Sequence, residues 1–141
     1  MSDVTLTIGW NEAQTARALR IYRLVLGFNM LGHLAIGLAC IFCPLWVSQT
    51  LGLPEPIPTG WVRGWGAMLL LVTALYIPGL LDPLTTRAPN VIGILGRYWM
   101  TLIWIFCGGS FLWFALIDGA FATLLGLLYR KLLMARLMTH P

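Results

Sequence analysis

Residues 24–46, LVLGFNMLGHLAIGLACIFCPLW, form an uncharged run long enough to cross a lipid bilayer as a single helix. Further uncharged runs occupy residues 64–81 and 98–117. The hydrocarbon core of a bilayer is about 30 Å thick, and a helix of about 20 predominantly apolar residues crosses it. The three runs therefore predict three transmembrane helices.

The composition of the whole chain also indicates a membrane environment. Of the 141 residues, 59% are hydrophobic and 10% are charged, and the mean hydropathy is +0.83. A soluble domain carries about 25% charged residues, so the composition excludes a water-soluble globule, a disordered chain and an exported soluble enzyme. The sequence predicts an all-α membrane protein, a bundle of four transmembrane helices in contact with the lipid bilayer.

The last hairpin can be placed in two ways. A turn at Asp118-Gly119 gives spans at about 24–46, 62–81, 96–117 and 118–136, which together make a transmembrane domain over residues 24–136. A turn at 107–110, Cys-Gly-Gly-Ser, would bury both Arg97 and Asp118. Each charge at a helix centre costs about 2.5–3.5 kcal/mol on insertion scales. The turn at Asp118 is therefore predicted, unless Asp118 has a partner inside the bundle.

The basic residues predict the orientation of the chain. Residues 1–23 contain acidic, amide and three Arg side chains before any long apolar run, which is not the layout of a cleaved signal peptide. They are predicted to form a cytoplasmic amphipathic arm that is helical from about Asn11, with Asn11 as a possible N-cap. All but one of the nine basic residues fall on one side: Arg17, Arg20, Arg23, Arg87, Arg97, Arg130, Lys131 and Arg136. This pattern indicates membrane topology and does not indicate a nucleic-acid partner. It predicts a multi-pass protein of the bacterial inner membrane with cytoplasmic N- and C-termini.

Aromatic residues give the same orientation. An outer interfacial belt is predicted at Trp46, Trp61, Trp65 and Trp113, and an inner belt at Tyr22, Tyr76, Tyr98, Trp99 and Tyr129.

Cys40 and Cys43, in the stretch Cys40-Ile41-Phe42-Cys43-Pro44, are the most suggestive constellation for catalysis. Two thiols one helical turn apart can cycle between dithiol and disulfide. Only one further cysteine, Cys107, is present, so a relay through a second pair has no sequence basis. The alternative is that these cysteines pack as small apolar side chains, and they are catalytic candidates only in the enzyme hypothesis.

Asn29 and His33 lie four residues apart and share one face of the first helix. An intramembrane His is a candidate ligand-binding residue, here for a quinone or a lipid. The alternative is an interhelical hydrogen bond to Thr73, Thr101 or Ser110. The other histidine, His140, lies near the C-terminus outside the spans, so no metal site, no bis-His haem and no resident cofactor are predicted.

The predicted outer side contains three further features. Arg63 and Asp118 are predicted to form a structural ion pair. Residues 53–58, LPEPIP, are predicted to form an extended segment because alternating prolines restrict the backbone. Small residues spaced by four predict close helix contacts, within the bundle or with another subunit, at Gly60 and Gly64, Ala35 and Ala39, Gly119 and Thr123, and Ala122 and Gly126.

The order of several short motifs resembles the DoxX-like group of small four-helix bacterial membrane proteins. The motifs are an Arg-bearing arm, then Pro44 with Leu51-Gly52-Leu53, then Arg63-Gly64-Trp65-Gly66-Ala67-Met68-Leu69-Leu70, then Asp82-Pro83. The resemblance covers about residues 20–135. It implies a four-helix membrane fold and an association with redox membrane complexes, since some members are membrane subunits of quinone-linked oxidoreductases. It implies no catalytic residue.

These observations lead to one functional expectation with two alternatives. The expectation is a non-catalytic accessory subunit of a larger membrane complex concerned with electron transfer, which contacts other membrane subunits and contributes to quinone or lipid binding. One alternative is a thiol–quinone redox protein that uses Cys40 and Cys43. The other is a small carrier or lipid-binding protein with a polar site around His33 and Asn29.

Overall fold

A computed structural model describes residues 2–139 of the chain and the side chains of residues 12–138. Within this part the chain forms α1 (Ser2–Phe42), the short α2 (Pro44–Thr50), α3 (Gly60–Leu81), α4 (Arg87–Cys107) and α5 (Leu112–Thr139), with a 3₁₀ turn at Gly109–Phe111. No strand occurs among the described residues. The all-α prediction is confirmed.

Four helical segments are long and apolar enough to cross a membrane: Glu12–Phe42, Gly60–Leu81, Arg87–Cys107 and Gly109–Met138. Large apolar side chains cover the outside of the bundle, including Phe28, Leu75 and Phe106. A surface of this kind is unfavourable in water and compatible with lipid. The fold is therefore that of a multi-pass membrane protein with four helices able to span the bilayer.

The N-terminal arm and the first span form one continuous helix. Residues 2–42 contain no proline, and α1 runs through Asn11 without a break. The prediction of Asn11 as N-cap is therefore wrong, since the helix begins nine residues earlier, at Ser2. Cys43 leaves the helical conformation because it precedes Pro44, so the first span ends at Phe42 and not at residue 46.

The turn between the last two spans lies at 108–109, and the predicted boundaries 96–117 and 118–136 are wrong. Gly108 and Gly109 have φ angles of 65° and 54°, a left-handed conformation that glycine adopts without steric cost. The turn here places Arg97 inside α4 and Asp118 inside α5, and the two side chains form a salt bridge. Because the two charges pair with each other, the cost of burying them no longer argues against a turn at residues 107–110.

Glycines on α1 and α3 allow these helices to approach closely. A Cβ at Gly66 would lie 2.6 Å from the backbone oxygen of Gly37 and 2.8 Å from Cβ of Cys40. By contrast, a Cβ at Gly60 or Gly64 would meet nothing within 4 Å. The close α1–α3 contact therefore uses glycines that the spacing rule did not select.

Three tyrosines assigned to the inner belt, Tyr22, Tyr76 and Tyr129, are instead buried in the hydrophobic core. The Tyr22 hydroxyl donates to Oδ1 of Asn90 (2.8 Å), and the Tyr129 hydroxyl donates to the carbonyl oxygen of Pro83 (3.0 Å). Buried phenols are tolerated when the hydroxyl has a partner. The first bond joins α1 to the first turn of α4. The second joins α5 to the connection between α3 and α4.

Candidate functional site

Arg97 lies at the centre of a polar cluster inside the bundle. Its Nη1 lies 2.5 Å from Oδ1 of Asp118, and the two side chains are 6% and 21% exposed, respectively. Charges this far from water are stable only when they are paired. The pair therefore joins α4 to α5 at a depth where neither charge would be favourable alone.

The same guanidinium contacts the polar face of α1. Its Nη2 donates to Oδ1 of Asn29 and lies 2.6 Å from Nε2 of His33. Because a guanidinium has only donors, Nε2 of His33 must accept. The imidazole in this contact is therefore neutral and carries its proton on Nδ1.

Aromatic residues complete the surroundings of the ion pair. Nε1 of Trp104 donates to Oδ2 of Asp118 (3.0 Å), so both carboxylate oxygens accept a hydrogen bond. The Arg97 Cζ lies 5.5 Å from the ring centroid of Phe121, within the range of a cation–π contact. The Tyr76 and His33 rings are 6.3 Å apart. We call Asn29, His33, Arg97, Trp104 and Asp118 the Arg97 cluster.

Three buried nitrogens of the Arg97 cluster have no hydrogen-bond partner in the structure: Nδ2 of Asn29, Nδ1 of His33 and Nε of Arg97. All three are donors, the histidine nitrogen because of the tautomer that Arg97 imposes. A buried donor without a partner costs about 1–3 kcal/mol. The cluster is therefore chemically suited to a group that supplies acceptor oxygens.

The charge balance of the Arg97 cluster favours a neutral ligand. Arg97 and Asp118 neutralise each other, and His33 is uncharged when it accepts from the guanidinium. A carboxylate or phosphate would have to compete with Asp118 for Arg97, whereas a carbonyl oxygen needs only the donors that remain. The arrangement thus fits a neutral acceptor such as a carbonyl.

The structure alters two predicted partnerships. Asp118 pairs with Arg97, and Arg63 takes part in no ion pair among the described residues, so the predicted Arg63–Asp118 pair is wrong. Thr73 and Thr101 donate to backbone carbonyls on their own helices, so they are not the partners of Asn29 and His33. Asn29 and His33 both contact the Arg97 guanidinium, so their partner is a cation.

The cysteines occupy unlike environments. Cys40 is 0% exposed and lies where α1 meets Gly66 of α3, whereas Cys43 and Cys107 are exposed; all three are free thiols. Residues 12–138 contain no group of three metal-ligating side chains, and His140 lies outside the described residues. The burial of Cys40 gives it a packing role at the α1–α3 contact.

Sequence reasoning missed Arg97 and Trp104 as site residues. Arg97 was assigned to the cytoplasmic connection because a lone cation is costly in a span. The signal that would have found it is a second, opposite charge, Asp118, which the turn at Gly108 and Gly109 places inside the bundle with Arg97. Trp104 carried no distinguishing signal, since indoles are frequent in membrane helices.

Searches of family models, of curated proteins and of solved structures find no match to this chain.

Proposed function

We propose that this chain is a non-catalytic membrane subunit that holds the carbonyl group of a quinone or of a lipid ester at the Arg97 cluster. The observation that carries the proposal is the set of three buried, unpartnered donors on Asn29, His33 and Arg97. Quinone carbonyls and lipid ester carbonyls are neutral acceptors, and both molecules are dissolved in the bilayer. Either molecule is therefore present in the lipid around the bundle.

The proposal includes a place in a larger assembly. Four segments able to cross a membrane make up most of the described residues. The resemblance to DoxX-like proteins favours an association with quinone-linked electron transfer. In this proposal the complex lies in a bacterial inner membrane, with both termini of the chain cytoplasmic. Arg97 no longer contributes to that orientation, but the other basic residues assigned to the cytoplasmic side still do.

Quinone binding to the isolated chain tests the ligand part of the proposal. The protein in nanodiscs is titrated with ubiquinone-1, and binding is followed by quenching of tryptophan fluorescence. His33→Phe and Asn29→Leu each remove one donor worth about 0.5–1.5 kcal/mol, so each should weaken binding by a factor of about 2 to 13. Thr73→Val is the matched control, because the Thr73 hydroxyl donates within its own helix.

The two sources of the carbonyl are separated by native mass spectrometry of the detergent-purified protein. A retained phospholipid that His33→Phe releases identifies a lipid guest, whereas quinone binding without retained lipid identifies a quinone. Equal quinone affinity of wild type, His33→Phe and Asn29→Leu, together with unchanged lipid retention, would overturn the proposal.

Extraction of the tagged chain from native membranes with a mild detergent tests the subunit part. Stoichiometric membrane partners with haem or flavin absorption are the expected result. A monodisperse chain of 15.7 kDa with no partner would contradict it while leaving the ligand proposal in place.

The two alternative functions make different demands on the structure. A carrier would use the same Arg97 cluster, and it predicts that the bound molecule crosses vesicle membranes containing this chain alone. The thiol–quinone hypothesis requires Cys40 to emerge from the α1–α3 contact, where its side chain is fully buried. Unchanged redox activity of Cys40→Ser and Cys43→Ser variants would eliminate it.

A further inference from the structure

Residues 53–58, here called the strap, have no regular secondary structure and line a cavity of about 300 Å³ at the end of the bundle where α3 begins. Aromatic side chains from α3, α4, the 3₁₀ turn and α5 form much of its wall: Trp61, Trp65, Trp104, Phe111 and Phe114. We call this space the strap cavity. Its volume lies at the lower end of the range for small-molecule sites.

The rings of the strap cavity pack against one another in several orientations. Trp65 meets Trp104 at 75° and Phe114 at 84°, with centroids 5.9 and 5.7 Å apart, respectively. Trp104 is parallel to Phe111, with an interplanar angle of 2° and centroids 5.5 Å apart, and is tilted by 39° from Phe114. The contacts between these rings make the aromatic part of the wall continuous.

The charge of the residues that line the strap cavity is negative. Glu55 of the strap is the only charged residue among those that line the cavity, and no Lys, Arg or His is among them. The π faces of Trp and Phe carry negative potential. A carboxylate combined with several aromatic faces attracts a cation and repels an anion.

The wall of the strap cavity suits an anion poorly. The indole nitrogen of Trp104 already donates to Asp118, so the side-chain donors left among the lining residues are Ser48, Trp61 and Trp65. A phosphate would lose its water ligands and meet no cation in this wall. A quaternary ammonium group has no N–H, is weakly hydrated and is recognised by aromatic faces.

From the aromatic wall and the single carboxylate, we infer that the strap cavity binds the quaternary ammonium group of a small organic cation or of a lipid headgroup. This site differs from the Arg97 cluster in ligand chemistry and in all but one of its residues. Trp104 joins the two, because its ring lines the strap cavity and its nitrogen donates to Asp118.

The test uses choline and its neutral isostere 3,3-dimethyl-1-butanol, in which carbon replaces the charged nitrogen. The full chain is labelled with 5-fluorotryptophan, placed in phosphatidylglycerol nanodiscs that contain no choline lipid, and followed by fluorine NMR. Each resonance is assigned by single Trp→Phe substitutions. Choline should shift the Trp65 and Trp104 resonances saturably. The Trp113 resonance is the internal control, since this ring is 68% exposed and does not line the cavity.

Glu55→Gln is the main variant because Glu55 lies on the exposed strap and its replacement does not disturb the packed bundle. Loss of the carboxylate should weaken choline binding about threefold, the effect of one solvated charge contact worth about 0.7 kcal/mol. Trp65→Leu should weaken binding at least tenfold. Trp113→Leu should leave it unchanged.

Two soluble short-chain lipids distinguish the sources of the cation. Diheptanoyl phosphatidylcholine that binds more tightly than choline identifies a lipid headgroup, and the reverse order identifies a free cation. Diheptanoyl phosphatidylglycerol controls for the chains. Equal shifts by choline and 3,3-dimethyl-1-butanol, or no shift of Trp65 and Trp104 with any quaternary ammonium probe, would overturn the inference. Neither result bears on carbonyl binding at the Arg97 cluster.

Discussion

The Arg97–Asp118 ion pair predicts a large and non-additive dependence of stability on the two residues. The perturbations are Arg97→Met, Asp118→Leu and the double variant. Removing one partner of a buried pair costs about 3–5 kcal/mol, because the other charge is left without compensation. Replacing both partners by apolar residues costs much less, since no uncompensated charge remains.

The structure sets the order of the three effects. Arg97→Met leaves the Asp118 side chain, which is 21% exposed and still accepts from Trp104, so its cost should be about 3 kcal/mol. Asp118→Leu leaves the Arg97 side chain, which is 6% exposed, so its cost should be about 5 kcal/mol. The double variant should fall short of the sum of the single costs by more than about 3 kcal/mol.

The free energy of unfolding is measured in lipid–detergent mixed micelles by titration with sodium dodecyl sulfate, with helix content followed by circular dichroism. Arg63→Met is the matched control, because Arg63 belongs to no described ion pair; it should change stability by less than about 0.5 kcal/mol. Additive costs for Arg97→Met and Asp118→Leu would refute the pairing. Coupling of Asp118 to Arg63 in their place would restore the arrangement that the sequence predicted.

Three further predictions follow from packing, thiol exposure and topology. Gly66→Ala should destabilise the bundle by about 1–3 kcal/mol, because the new methyl meets the backbone of α1. Gly64→Ala is the control in the same unfolding assay, because a methyl there meets no atom within 4 Å. Equal effects of the two substitutions would contradict the close α1–α3 contact. In detergent, maleimide should label Cys43 quickly and leave Cys40 unlabelled until the protein unfolds, and the reverse order would exclude the packing role of Cys40. In a variant without native cysteines, Glu55→Cys should react with a membrane-impermeant maleimide applied outside intact cells, and reaction only after permeabilisation would reverse the proposed orientation.

The number and type of membrane helices could be predicted because the bilayer imposes one local rule. Uncharged runs such as residues 24–46 and 64–81 must form helices in lipid, where every backbone polar group needs an internal partner. The rule depends on no distant contact, so hydropathy along the chain was sufficient. The same reasoning found the face of α1 that carries Asn29 and His33, since a helix of fixed period places residues four apart side by side.

Local reasoning failed where a residue's cost depends on another residue far along the chain. Arg97 and Asp118 are each unfavourable in a membrane span when considered alone. The sequence therefore predicts a turn that keeps both near water. The interfacial position predicted for Tyr22 is wrong for a similar reason. Its hydroxyl bonds to Asn90 only once α1 has packed near the start of α4. In each case the partner is supplied by the fold.

The sequence by itself thus determined a four-helix membrane protein and the polar face of its first helix, because both follow from short-range periodicity and the solvation of the backbone. Only the tertiary structure decided that the last turn lies at Gly108, that Arg97 joins Asn29, His33 and Asp118, and that Trp104 links this cluster to the strap cavity. Those features are set by pairing energies between helices. A buried charge is prohibitive alone and stable when paired, and the pair exists only once the helices are side by side.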